Sequence, residues 1–236
     1  MFNAHMVELI INSATLFIGY CASVTLAGAF RAWVAKQMGD DTAESLEMLS
    51  LNPIVHVNML GVILLLVMGF GWGTHVPVNP FNIVGRWRGL RIFCATFSDV
   101  FAYIIASISA MVALLLLFDT KILLFPSFIG LDSQATSITD LYPHTPSFLI
   151  IVGLILINFI YLNVILGAMH TIMNGTDMAF LLSAERSDES YLSFYHEHTY
   201  SFMLVSLILY LFLSHPLRIL LITNIIHISL AITQAL

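Results

Sequence analysis

The stretch LNPIVHVNMLGVILLLVMGFGWGTHVPVNPFN (51–82) carries the choice between two architectures. Its apolar centre, about Ile54 to Trp72, has the length that crosses a hydrocarbon core of roughly 30 Å. It is bracketed by two polar islands, LNPIVHVNMLG (51–61) and THVPVNPFN (74–82), and it ends in the glycine-rich GFGWG. Proline breaks a helix, while Asn and His can satisfy freed backbone groups where irregular chain is buried in protein at membrane depth. Arg31 and Lys36 precede the segment, and Arg86, Arg88 and Arg91 follow it. If basic loops stay cytoplasmic, a single crossing between them is contradicted. The pattern predicts a re-entrant or irregular element around 54–82, with a simple crossing as the alternative.

The rest of the chain fits that choice. Of 236 residues, 59% are hydrophobic and only 9% charged, against about a quarter charged in soluble domains. Apolar runs recur at about Val7–Val34, Ile92–Phe118, Phe148–His170, Tyr200–Leu213 and Leu217–Ile232. The prediction is an all-α membrane protein, a polytopic helical bundle forming a single integral membrane domain over 1–236. About four or five crossings accompany the irregular element. The first 30 residues hold no Lys or Arg, so they read as a retained helix rather than a cleavable signal. A net charge of −6 with no basic stripe excludes nucleic acid as a partner. Cys21 and Cys94 lie in apolar segments outside any CxxC pair and read as packing residues.

Several groups could carry chemistry. None of the nine histidines stands four residues from another. His196-Glu197-His198 would aim both rings at one metal only in an extended strand, and reads as an interfacial cluster. Asp99 lies inside an apolar run, a functional hypothesis by default, with Arg91 about two turns away as a pairing partner near the membrane edge. His170, Asn174 and Asp177 share one helical face if the helix continues past Gly175. An Asn-Gly cap ending the span there is the plainer reading.

Three features in order then resemble the site-2 protease family of intramembrane zinc metalloproteases, in its short bacterial form. They are GDDTAESLEMLSLNPIVHVNMLG (39–61), GFGWGTHVPVNPFN (69–82), and basic residues leading into a long apolar segment. The matching positions include Gly39, Asp40, Asn52, Pro53, His56, Gly61, Gly69–Trp72 and Pro77–Pro80. The resemblance implies a site-2-protease-like core and localisation to a bacterial inner membrane. It implies a groove for a membrane partner or transmembrane helix within the lipid bilayer, shaped by His56, Asn79 and Pro80. It also implies where the catalytic motif belongs. The family's His-Glu-x-x-His ends eight residues before the Gly of Gly-Asp, which lands on Ala27, Gly28, Ala29, Phe30 and Arg31. Its third ligand, from a Leu-Asp-Gly, has Met173-Asn174-Gly175 as the nearest counterpart.

Zinc hydrolysis needs three ligands and a base for the metal-bound water. Ala27 and Gly28 offer no lone pairs, Arg31 repels a dication, and Asn174 is neutral. The expectation is therefore a non-catalytic relative with no metal or other cofactor, holding a membrane partner. One alternative is an active zinc protease with unconventional ligands such as His56 and His170. Another is a transport or channel subunit using a water-accessible Asp99.

Overall fold

Long apolar runs without internal proline form long helices, and the prolines fall at their boundaries. In the computed structural model, which describes residues 4–124, 142–183, 208 and 216–235, the first helix is α1, Ala4–Met38. Two single turns follow, α2 (Thr42–Ser45) and α3 (Pro53–His56), and then α4, Met59–Met68. Next come α5 (Arg88–Phe118), α6 (Ser147–Ser183) after Pro146, and α7, described over Pro216–Ala235. Among the described residues there is no β-strand, only an isolated bridge, and four helices are long and apolar enough to cross a membrane. The chain is an all-α polytopic membrane protein. The Tyr200–Leu213 run and His196-Glu197-His198 lie outside the described residues, apart from Ile208.

The apolar centre of 51–82 does not cross. A ten-residue helix spans about 15 Å, half of a hydrocarbon core. On its two sides Val57 and Gly73 form an antiparallel bridge, and Thr74 N donates to the His56 carbonyl at 2.7 Å. The chain therefore leaves and returns at one level, as the re-entrant reading expected. Both asparagines start helices. Asn52 accepts from Ile54 N at 3.1 Å, and Asn58 accepts from Leu60 N and Gly61 N at 3.0 and 3.2 Å. At the neck of the hairpin the backbones touch. A Cβ on Gly61 would lie 1.9 Å from the Trp72 carbonyl oxygen, and one on Gly71 would lie 1.9 Å from the Gly61 carbonyl oxygen. The buried Tyr20 of α1 donates to the same Trp72 carbonyl at 2.8 Å, which ties the hairpin to the bundle.

A second knot joins two stretches far apart in sequence. Asp40, fully buried, accepts from Asn79 N at 2.6 Å through one oxygen. Its other oxygen accepts from Asn82 Nδ2 at 2.9 Å and from Thr42 N at 3.1 Å. The loop is also held by Arg88, which donates to the Ile83 and Pro80 carbonyls, and by Arg91, which donates to Val84 O. These arginines are committed to backbone oxygens, and Arg91 is not the partner of Asp99.

Helices α1, α5 and α6 form the core. Tyr20, Val24 and Ala27 of α1 pack with Tyr103 of α5 and with Leu162, Leu166 and Met169 of α6. At about 25 cal/mol per Å², such burial is the main attraction in water. Inside a bilayer, close packing and interhelical hydrogen bonds carry more of it. Asn158 bonds to Thr15 at 2.8 Å and Asn163 to Ser23 at 2.9 Å, both linking α6 to α1. Helix α6 also corrects an expectation: it runs through Asn174-Gly175 to Ser183 instead of stopping at a cap. Asn174 is fully buried and spends its amide on neighbouring helices, so it has no need to cap its own.

Candidate functional site

The uninterrupted α6 places His170 and Asn174 one turn apart on a face that meets both α1 and α5. Arg31 of α1 is 3% exposed, and Asp99, the lone charge of the apolar run Ile92–Phe118, is 2% exposed. Arg31 Nη1 donates to Asp99 Oδ2 at 2.8 Å and to Asn174 Oδ1 at 2.9 Å. Asn174 Nδ2 donates to Asp99 Oδ1 at 2.8 Å, which closes a ring of side chains from three helices. His170 Nδ1 lies 2.7 Å from Asp99 Oδ2, and its ring meets Tyr103 edge-on. Both carboxylate oxygens are engaged.

Buried charges are tolerable when paired and hydrogen-bonded, and this pair has both conditions. Arg31 is thus buried between helices rather than solvated. The transport reading needs a water-accessible Asp99, and this one is enclosed. The pairing had a signal in the sequence: charges of opposite sign, Arg31 and Asp99, inside two apolar runs. The register of residues against one another was the missing information.

A small cleft opens over the ring. Gly28 and Arg31 border it from α1, Thr74 and His75 from the returning arm of the hairpin, and Asp99 and His170 from α5 and α6. At Gly28, α1 packs closely against the hairpin's His56. His56, fully buried, accepts no side chain above it: a Cβ on Gly28 would lie 2.4 Å from His56 Nδ1. The His56 ring is fixed by Nε2 donating to the Ser50 carbonyl at 2.9 Å.

The structure therefore brings Gly28, Arg31 and Asn174 together, with Ala27 buried in the core beside them. The family register, counted on sequence alone, had assigned Arg31 and Asn174 to ligand positions of one metal. They are 143 residues apart and directly hydrogen-bonded. His56 adjoins through Gly28. Asn79 and Pro80 sit instead on the Asp40 knot and are not among the residues lining the cleft, whose hairpin wall is Gly73–Val76. Among the described residues, no three His, Cys, Asp or Glu side chains converge as a metal site. The donor set at the ring does not fit zinc, because a guanidinium stands among the ligands and Gly28 supplies no base.

The chain is similar in part to a bacterial protein. It is 47% identical over 64 residues to the protein named "Putative zinc metalloprotease YwhC" in Bacillus subtilis (strain 168). The match covers 27% of this chain and 29% of that protein, less than a third of its length. No family model matches the chain, and no solved structure matches it.

Proposed function

We propose that this integral membrane protein is a site-2-protease-like relative without proteolytic activity, which binds or regulates a membrane partner, in a bacterial inner membrane. The observation that carries the reading is the Arg31 guanidinium. It lies where the motif register puts a metal ligand, and it bonds to Asn174 at the position of the third ligand and to Asp99. A fixed cation in that place excludes a second one by repulsion. With Gly28 at the general-base position and His56 filling the space a side chain would need, there is also no base for a water. What remains at that place is a small hollow between α1, α5, α6 and the hairpin. The partial similarity to a protein named as a zinc metalloprotease supports the family.

That same name favours one competing reading, an active zinc protease with other ligands such as His56 and His170. Metal analysis of the purified protein separates the two. Less than a tenth of a zinc per chain, approximately, is expected, together with no cleavage of a transmembrane substrate; one tightly held zinc overturns the proposal.

A further inference from the structure

Every residue of VGRWRGLR (84–91), the stretch that leads into the apolar body of α5, is exposed. Three are arginines, and the apolar Val84, Trp87 and Leu90 each expose more than half of their surface. The arginines gather on one loop. Arg88 and Arg91 fold back onto carbonyls of residues 80–84, and Arg91 Nη1 passes 3.7 Å from where a Cβ on Gly85 would stand. The Arg86 guanidinium lies 5.8 Å over the Trp87 ring. Backbone carbonyls hold Arg88 and Arg91 in place but cancel no charge, and a ring face is a weak counterpart for Arg86. Among the described residues none of the three forms an ion pair with a carboxylate, whereas Lys36 is paired with Glu44. Carboxylates are near: Asp41 and Glu47 are exposed in the loop that Asp40 ties to Asn82.

We propose that this loop binds the headgroup of an anionic phospholipid, of the phosphatidylglycerol class, in the leaflet that α5 enters. Phosphate oxygens suit the planar fork of arginine. Arg86 has all its N–H donors free of hydrogen bonds among the described residues, and Arg91 uses only Nη1. A zwitterionic headgroup brings a cation of its own and leaves the arginine charges uncancelled. An acidic protein or a free phosphate would match the charges but leave the apolar half of the stretch without a use. Val84, Trp87 and Leu90 recur every three residues between the arginines, and the apolar run begins directly afterwards at Ile92. Indole rings sit at headgroup level, and basic residues beside a span meet anionic lipid there. The assignment needs only the bilayer and is independent of the metal-site reading.

The test uses the full chain in phosphatidylcholine nanodiscs holding a minority of phosphatidylglycerol, with bromine on the acyl chains of one lipid or the other. Bromine quenches nearby indoles, and the part of the quenching absent in Trp87→Phe reports the lipid at Trp87. Phosphatidylglycerol is expected to be preferred there by about 25-fold, roughly fivefold for each of Arg86 and Arg91. Arg86→Gln should lower the preference about fivefold, and Arg86→Lys should keep most of it. Arg86 makes no hydrogen bond among the described residues, so its replacement leaves the fold intact. Equal quenching by the two brominated lipids overturns the proposal, as does a preference that survives Arg86→Gln/Arg91→Gln. Inorganic phosphate added at constant ionic strength separates the sources. A preference that it leaves unmoved supports the lipid, and one that it abolishes assigns the loop to free phosphate and overturns the lipid assignment.

Discussion

Arg31 shows how one residue changes what a scaffold can do. Removing it strands a buried carboxylate, and Arg31→Ala is expected to lower stability by about 3–5 kcal/mol, with Asp99→Ala similar. The double variant Arg31→Met/Asp99→Leu should cost much less than the sum, because a buried ion pair is often replaceable by apolar side chains of like volume. Chemical denaturation in mixed micelles measures all three, and additive losses would contradict a direct pair. Gly28 is the second residue of this kind. A Cβ there meets the His56 ring at 2.4 Å, so Gly28→Ala is expected to destabilise by roughly 1–3 kcal/mol. His56→Gly in the same chain should recover part of that loss, which the same titration reads.

At the level of elements, the hairpin built on α4 departs most from a plain bundle. Asn52 and Asn58 start its turns, Gly61 and Gly71 let its arms touch, and Tyr20 holds the neck. Gly61→Ala puts a methyl group 1.9 Å from a backbone oxygen that Tyr20 also holds, so neither side yields easily. The expected loss is at the upper end of the roughly 1–3 kcal/mol of overpacking, read as a lower unfolding midpoint. The re-entrant course also fixes sidedness. Glu47 and Arg86, both exposed and on opposite sides of the hairpin in sequence, should react from the same face of the membrane when replaced by cysteine. Labelling from opposite faces would restore the simple crossing. The helix boundaries were legible because proline and asparagine act locally. The continuation of α6 through Asn174-Gly175 was not, since a buried Asn bonded to two other helices looks in sequence like a cap.

At the scale of the whole molecule, α1, α5 and α6 are joined by polar ties set in apolar faces: the Arg31–Asp99–Asn174 ring, Asn158 to Thr15, and Asn163 to Ser23. In a bilayer each neutral tie contributes modestly. Asn158→Ala and Asn163→Leu should each lower stability by roughly 0.6 kcal/mol, and together by about their sum, in the same unfolding titration. The sequence by itself determined that the chain lives in a membrane and where its long helices fall, and it favoured a re-entrant course for 54–82 over a simple crossing. Those follow from hydropathy, proline and charge, which act over short stretches of chain. The family resemblance supplied the register that assigns Ala27, Gly28, Arg31 and Asn174 to the expected motif positions. Only the tertiary structure decided what fills that place. Arg31 meets Asp99 and Asn174 across 68 and 143 residues, His56 seats itself on Gly28, and Asn79 turns to Asp40. A lone buried charge must find a partner, but nothing local in the chain says which one; the packing of three helices makes that choice.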